Sequence, residues 1–211
     1  MTPYYSDDLV TIYHADCRDF MPVADVIVTD PPYGMAYRHG ARKGGFRYGQ
    51  DEQTIVGDQE PFDPAPILAL ALPTVLFGAN HYADRLPPSK GWLVWDKRAG
   101  SASNDQSDCE LAWSNVLTTA RLFSVRWSGA HRQGREQQDG RDHPNQKPVA
   151  LMAWVLGFVP HGTVLDPFMG SGSTLVAAKN AGRRAIGVEI DEAHCARAAE
   201  RCSQEVLGLV G

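Results

Sequence analysis

Cysteine is scarce in this sequence, and the arrangement of the four that are present argues against two common roles. Cys17, Cys109, Cys195 and Cys202 form no Cys-x-x-Cys pair, so the spacing of a zinc ribbon or a thioredoxin-like redox motif is missing. His194 lies beside Cys195, but no fourth ligand follows at a zinc-like spacing. We therefore expect free thiols in a reducing compartment and no bound metal.

Long apolar runs are also missing. No stretch reaches the ~20 residues that span a bilayer, and residues 1–8 lack the basic segment and apolar core of a secretory signal. We expect a cytoplasmic protein. With 211 residues, of which 43% are hydrophobic, the chain can bury a sheet between layers of helices. Its length predicts a single domain over residues 1–211.

Predicted strands and helices alternate along the chain, which indicates a mostly parallel α/β sheet. Strands are predicted at 9–14, 25–29, 74–77, 92–95, 110–114, 121–127, 163–165 and 184–191, and helices at 64–72, 149–158, 175–179 and 192–207. The strands at 110–114 and 121–127 are expected to form an antiparallel edge. Glycine-rich loops are predicted at 36–60 and 128–142.

Two consecutive prolines interrupt the chain directly after an apolar run at residues 25–29. Because Pro31 and Pro32 can extend neither a strand ladder nor a helix, the chain must turn out of the sheet there. The turn brings together the Asp30 carboxylate, a backbone carbonyl and the Tyr33 ring. These groups can bind a planar amino-bearing base through two acceptors and one stacking face. The structural alternative is an Asx-type turn closed by two prolines.

A glycine-rich turn follows a later predicted strand. Asp166 precedes it, and Gly170 and Gly172 let the backbone approach a ligand closely. Ser173 or Thr174 is expected to cap the next helix. No third glycine completes a dinucleotide fingerprint and no lysine follows the glycines, so pyrophosphate-binding and phosphate-binding loops are disfavoured. An acid beside a glycine turn suits a cationic ligand better.

Four predicted strands end at or near an acid: Asp16, Asp30, Asp166 and Glu189. Ligands of open parallel sheets bind beyond the carboxyl ends of the strands. If these strands are neighbours, the four carboxylates converge on one crevice that suits a sulfonium, an amino group and ribose hydroxyls. Glu189 stands 17 positions after Gly172, about where an acid holds a ribose in βαβ nucleoside sites. The alternative is the ordinary preference of strand ends for Asp.

Three motifs occur in order along nearly the whole chain: Asp30-Pro31-Pro32-Tyr33, then His143 to Pro148, then Asp166 to Thr174. Together they resemble the β class of amino-directed DNA methyltransferases, which use S-adenosylmethionine. Asp at the first catalytic position is more typical of adenine-N6 enzymes, whereas cytosine-N4 enzymes more often have Ser. The resemblance implies a Rossmann-like fold, a mostly parallel twisted sheet with helices on both faces and an antiparallel edge.

The resemblance implies methyl transfer to the N6 amino group of adenine in duplex DNA, by direct in-line displacement on a base flipped out of the helix. The implied catalytic residues are Asp30, Pro31, Pro32 and Tyr33, with Tyr33 as the stacking platform. The implied cofactor-binding residues are Asp16, Cys17, Asp30, Asn145, Gln146, Lys147, Asp166, Phe168, Gly170, Ser171, Gly172, Ser173, Thr174, Glu189 and Ile190.

Within that set, Glu189 is expected on the ribose and Asp16 with Cys17 at the adenine of the cofactor. One of three residues in the middle motif is expected to reach the cofactor carboxylate: Asn145, Gln146 or Lys147. The whole interpretation requires the bend at 30–33 and the turn at 170–172 to lie side by side.

Net positive charge is absent, since the formal net charge is −5 at pH 7. Local patches nevertheless decide contact with phosphates, and basic residues cluster in or beside the two predicted loops. The predicted DNA-binding residues are Arg38, Arg42, Lys43, Arg47, Arg126, Arg132 and Arg135, and segments 36–60 and 128–142 are the expected DNA-contact segments. Ordinary solvated loops are the alternative.

Other functions remain open at this stage. They are a cytosine-N4 DNA methyltransferase, a methyltransferase of RNA or protein amides, a catalytically silent DNA-binding module of the same fold, and a nicotinamide dehydrogenase. Asp30 disfavours the amide enzymes, the intact glycine turn disfavours the silent module, and the missing third glycine disfavours the dehydrogenase. We expect a bacterial or phage-encoded protein. A homodimer is expected by analogy only, and the sequence leaves a restriction–modification partner undecided.

Overall fold

The computed structural model describes residues 1–34, 60–102, 107–128, 131–132 and 146–204. Of the two predicted DNA-contact segments, only Glu60, Ser128, His131 and Arg132 belong to these ranges. No helix of the described ranges is long and apolar enough to cross a membrane.

Nine strands of the described residues form one sheet. They are β1 (Tyr5–Ser6), β2 (Val10–His14), β3 (Val26–Thr29), β4 (Thr74–Phe77), β5 (Gly91–Asp96), β6 (Cys109–Ser114), β7 (Arg121–Ser124), β10 (Val164–Asp166) and β11 (Ala185–Glu189). Their order in the sheet is β1-β2-β11-β10-β3-β4-β6-β5-β7. A separate two-stranded ribbon pairs β8 (Trp127–Ser128) with β9 (His131–Arg132).

The centre of the sheet is parallel from β2 through β11, β10 and β3 to β4. Every residue of β3, β4 and β10 is buried, which explains their continuous apolar runs, since parallel strands are covered on both faces. Neighbouring residues in β3 alternate between two apolar layers: Val26 and Val28 pack on one side, and Ile27 packs on the other.

The predicted antiparallel edge is wrong in one respect. β6 runs antiparallel to both β4 and β5, but β7 runs parallel to β5. Both sides of β6 are already paired, so the strand that follows it must pair elsewhere. Because the chain reverses after β6, that strand acquires the direction of β5. The reversed strand β6 therefore lies inside the sheet rather than at its edge.

Helices cover both faces. They are α1 (Ala65–Leu68), α2 (Val149–Leu156), α3 (Ser173–Asn180) and α4 (Glu192–Ser203). Leu151, Leu175 and Ala198 of the last three helices pack in one apolar layer, whereas Ile67 of α1 packs in the other. This is the α/β Rossmann-like fold that the sequence predicts.

The helix predicted at 64–72 is much shorter in the structure. α1 ends at Leu68, and Ala71 adopts a left-handed conformation with φ of 55°. The left-handed Ala71 cannot continue a helix, and Pro73 disfavours a helical conformation at Leu72, so the helix cannot reach the predicted end at residue 72. The last helix ends at Ser203, and residues 205–207 of the predicted helix lie outside the described residues.

Candidate active site

The four acids at strand ends lie along one edge of the sheet. β2, β11, β10 and β3 are consecutive parallel neighbours, so the acids follow in the order Asp16, Glu189, Asp166, Asp30. The hydroxyl of Thr29 donates a hydrogen bond of 2.6 Å to Asp166 Oδ1 and joins β3 to β10 at this edge. The proline bend and the glycine turn therefore follow neighbouring parallel strands, and their sharing of one hollow stays a prediction.

The proline bend places Tyr33 against two groups that follow β4. Its hydroxyl donates to Asp30 Oδ1, and its ring stacks on His81 with centroids 4.9 Å apart at 16°. Gly78 has φ of 67°, and a Cβ there would lie 1.9 Å from the Tyr33 ring. Only glycine therefore permits this packing. Burial raises the pKa of Tyr33 well above its ordinary value, and Asp30 adds to the effect.

His81 was missed by the sequence reasoning. It lies in a short 3-10 turn, Ala79–His81, directly after β4 and Gly78. The signal that could have found it is its place just past the carboxyl end of a predicted parallel strand, where ligand-binding residues gather.

Lys147 lies beside the catalytic motif. Its Nζ is 2.5 Å from Asp30 Oδ2 and 3.0 Å from Glu110 Oε2, and Lys97 Nζ is 3.1 Å from Glu110 Oε1. Burial alone would lower the pKa of Lys147, but Asp30 and Glu110 outweigh burial and raise it. The sequence predicts Asn145, Gln146 or Lys147 at the cofactor carboxylate, and that role stays a prediction. Glu110 and Lys97 were not predicted as site residues.

The glycine turn is braced from within by Asp166. This carboxylate is 3% exposed and accepts from the hydroxyls of Thr29 and Thr174, each at 2.6 Å, and from the Phe168 amide at 3.2 Å. Burial raises its pKa to about 6. Direct contact of Asp166 with a ligand stays a prediction.

The cap predicted for α3 is wrong. The residue before the helix is Gly172, with φ of 78°, and no side chain caps the helix. Thr174 is unsuited to the role because its hydroxyl is bonded to Asp166. Arg201 of α4, which was not predicted, donates to the Ser171 carbonyl at 2.6 Å and to Ser173 Oγ at 3.3 Å. The turn is therefore held by α4 as well as by β10.

Glu189 holds the backbone at two places. Its Oε2 accepts from the Gly170 amide at 2.9 Å and its Oε1 from the Asp191 amide at 2.9 Å. His194 Nδ1 lies 3.8 Å from Oε1, and this carboxylate raises the pKa of His194. The predicted ribose contact of Glu189 stays a prediction.

The remaining predicted cofactor residues are scattered along this edge. Asp16 pairs with Arg18 at 2.5 Å, and burial raises the pKa of the Cys17 thiol to about 11. Ile190 is 40% exposed, and its carbonyl is 3.1 Å from His14 Nε2. The Gln146 carbonyl accepts from Trp127 Nε1 at 3.1 Å.

Several predicted residues cannot be placed. Asn145 and the basic residues Arg38, Arg42, Lys43, Arg47 and Arg135 lie outside the described residues. Only the backbone of Arg132 is described, in β9. Arg126 is half-buried between β7 and β8. The predicted DNA contacts therefore stay predictions.

Two solved structures share the fold of this chain. The M1.HpyAVI complex with SAM aligns with a TM-score of 0.56 and 23% identity over 93% of this chain and 100% of that one. The cytosine-N4-specific PvuII DNA methyltransferase aligns with a TM-score of 0.62 and 16% identity over 98% of this chain and 90% of that one.

Sequence relatives give the family. A family model described as DNA methylase matches residues 80–200. "Putative methylase YubD" of Escherichia coli K12 is 44% identical over 206 residues, covering 88% of this chain and 82% of that protein. The type II methyltransferase M2.DpnII of Streptococcus pneumoniae is 38% identical over 115 residues, covering 54% of this chain and 42% of that protein. The chain belongs to the N6/N4 family of DNA methylases.

Proposed function

We propose that this protein transfers a methyl group from S-adenosylmethionine to the N6 amino group of adenine in duplex DNA. The observation that carries the proposal is the hydrogen bond of 2.6 Å from Thr29 to Asp166. It joins β3, which precedes the motif Asp30-Pro31-Pro32-Tyr33, to β10, which precedes the glycine turn. An amino-binding motif and a cofactor-type turn are thus direct neighbours at one sheet edge.

The turn fits S-adenosylmethionine. Gly170 has φ of 48°, and a Cβ added there would meet nothing within 4 Å, so the space beside its Cα is open. Its amide is held by Glu189, and Asp16 and Cys17 follow the adjacent strand β2. Carboxylates at such an edge favour a cationic ligand with ribose hydroxyls and disfavour a pyrophosphate. The SAM complex of M1.HpyAVI, which shares this fold, supports the assignment.

When bound, S-adenosylmethionine would supply an electrophilic methyl group with a neutral thioether as leaving group, and the amino nitrogen that takes the methyl group would lose one proton to solvent. The protein supplies acceptors for the amino hydrogens, namely the Asp30 carboxylate and the Pro31 carbonyl. Each oxygen of Asp30 already accepts one hydrogen bond, from Tyr33 or from Lys147, and retains a second lone pair. Acceptors fixed before the reaction stabilise the charge that develops on nitrogen.

The target base must leave the helical stack to reach this edge. Tyr33 is the proposed stacking platform, and its packing on His81 holds the ring in a defined plane. Holding the base in one orientation also brings the amino nitrogen near the reacting carbon, which lowers the entropic part of the barrier.

Cytosine-N4 methylation is the second candidate, favoured by the fold shared with the PvuII enzyme. The protein would be incubated with S-adenosylmethionine and mixed-sequence duplex DNA, and the DNA digested to nucleosides for mass analysis. N6-methyladenine is the expected product. N4-methylcytosine in its place would assign the second function, and no methylated nucleoside would contradict both.

The first prediction concerns Asp30. Asp30→Ala should reduce methyl transfer by about 10²–10³-fold, the usual cost of removing one preorganised polar group from a reacting centre. S-adenosylmethionine affinity, measured by calorimetry, should stay within a few-fold. Asp84→Ala is the matched control, because this carboxylate is 80% exposed and its loss should leave transfer unchanged. Full activity of Asp30→Ala would remove Asp30 from the mechanism.

A further inference from the structure

Four charged side chains of alternating sign form a chain that begins at the catalytic motif. The members are Asp30, Lys147, Glu110 and Lys97, and the N–O distances between successive members are 2.5, 3.0 and 3.1 Å. The side chains are only 26%, 10%, 25% and 21% exposed, in that order. The four residues come from different parts of the sequence: the bend after β3, the residues before α2, strand β6, and the residue after β5.

Of the four residues in this ion-pair chain, Glu110 is the one that lies within a strand of the sheet. It lies in β6, where it pairs with Trp95 of β5, and the following residues of the same strand, 112–114, also pair with β4. Lys147 precedes α2, and its ammonium lies 5.6 Å from the centre of the Phe77 ring. A lysine side chain has a flexible four-carbon stem and a point charge, so one carboxylate partner alone would leave its position loosely defined. A second carboxylate partner, on the interior strand β6, restricts the position of the ammonium.

Each buried charge in this ion-pair chain depends on its neighbours of opposite sign. Burial alone would raise the pKa of Glu110, but Lys147 and Lys97 outweigh burial and hold it below its ordinary value. Two carboxylates likewise keep the buried ammonium of Lys147 charged. A buried charge left without its partner is strongly unfavourable, so removal of Glu110 would act on Lys147 and, through it, on Asp30.

We propose that Glu110 is a positioning residue for the methyl-transfer site: it holds Lys147 against Asp30 and so fixes the direction of the Asp30 carboxylate. This inference rests on the proposed function, because it assigns Asp30 to the amino group of the base. The ionisable groups that face Lys147 are Asp30, Glu110 and the phenol of Tyr82, and Tyr33 faces Asp30 and Glu110.

The test begins with Glu110→Gln, which keeps the shape and removes the charge. We expect kcat to fall at least 10-fold, while the Kd for S-adenosylmethionine stays within about twofold. Lys147 remains buried with one carboxylate instead of two, so its pKa should fall. Loss of the Lys147 charge would release the Asp30 carboxylate, so the decline of kcat on the alkaline side should begin at lower pH in Glu110→Gln than in the wild type.

A double-mutant comparison separates positioning from a general loss of stability. If Glu110 acts through Lys147, then Glu110→Gln added to Lys147→Met should change kcat by less than twofold relative to Lys147→Met alone. Independent, multiplying effects would overturn the inference. Circular dichroism and thermal unfolding of each variant establish that it is folded.

Asp7→Asn is the matched control. Asp7 pairs with Lys179 at 2.6 Å in a similarly enclosed ion pair, but it precedes β2 at the amino edge of the sheet, away from the site. This variant should lose stability without any change in kcat or in the pH profile. A displaced alkaline limb in Asp7→Asn would overturn the inference, because it would show that loss of any ion pair moves the profile.

A readout that needs no activity separates this inference from the proposed function. The side-chain resonance of Lys147 in the lysine-labelled full chain, identified by its absence in Lys147→Met, should titrate at lower pH in Glu110→Gln than in the wild type. An unchanged titration would overturn the positioning role even in an active enzyme. A wild type that methylates no adenine would contradict the proposed function and leave this titration a valid test of the ion pair.

Discussion

At the scale of single residues, the acids of the sheet edge differ in what they do. Asp166 is enclosed and bonded to Thr29 and Thr174, and Glu189 holds two backbone amides. The sequence indicates where the acids lie, because strand ends are visible in the apolar pattern. Their partners come from distant segments, so the direction of each carboxylate could not be predicted. For Asp166, enclosure has a measurable consequence.

Asp166→Asn should change how stability depends on pH. Burial raises the pKa of Asp166 from 3.8 to about 6, so between these values the folded protein keeps a proton that the unfolded chain has lost. The contribution of Asp166 to the free energy of unfolding is therefore fully present below about pH 4 and is lost as the pH rises through about 6. The loss is roughly 3 kcal/mol at 1.36 kcal/mol per pH unit over the interval from 3.8 to about 6.

The measurement is urea unfolding of both proteins from pH 4 to pH 7. The free energy of unfolding of Asp166→Asn minus that of the wild type should rise by roughly 3 kcal/mol across this range, because all other titrating groups are shared. A constant difference would show that Asp166 is ionised in the folded protein at all these pH values.

At the scale of elements, the strands were predicted better than the helices and turns. β4 was predicted with its observed bounds, Thr74–Phe77, because a strand buried on both faces is a continuous apolar run between turn residues. The orientation of β7 could not be read from its own residues, since it depends on which strand already pairs with β6. The cap of α3 was also mispredicted, because bonding of Thr174 to Asp166 is a tertiary contact.

The glycine turn before α3 gives an element-scale prediction. Gly170 and Gly172 both have positive φ, of 48° and 78°, so an alanine at either position should cost about 1–2 kcal/mol in backbone strain. Only at position 172 would the added Cβ meet a neighbour, 2.9 Å from Ala198 Cβ on α4. Overpacking should add about 1–3 kcal/mol there.

Gly170→Ala thus serves as the matched control for Gly172→Ala in chemical denaturation. The larger loss of unfolding free energy is expected for Gly172→Ala, and its crystal structure should show α3 and α4 farther apart at Ala198. Equal losses for the two variants would mean that backbone strain alone accounts for both and that the contact with α4 is easily relaxed.

At the scale of the whole molecule, the sheet has two edges of different character. The carboxyl edge carries Asp16, Glu189, Asp166 and Asp30, and the sequence predicts this convergence from the alternation of strands and helices. The ion-pair chain from Asp30 to Lys97 could not be predicted, because its members are far apart in sequence. The opposite edge carries Lys90 and Arg184, which precede β5 and β11. The two edges offer a charge-matched test of where DNA binds.

Arg42→Gln/Lys43→Gln should weaken DNA binding and its dependence on salt. Each phosphate contact contributes about 0.9 to the slope of log K against log salt, so loss of two contacts should reduce the slope by about 2. Lys90→Gln/Arg184→Gln removes the same charge at the amino edge, and both double variants change the net charge from −5 to −5 − 2 = −7. Fluorescence anisotropy of a labelled duplex measures the affinity of each double variant for DNA. A salt series from about 50 to about 300 mM gives the slope for each variant. The amino-edge variant should keep the wild-type slope. Equal changes in the two variants would mean that net charge alone acts, and segment 36–60 would lose its assignment as a predicted DNA-contact segment.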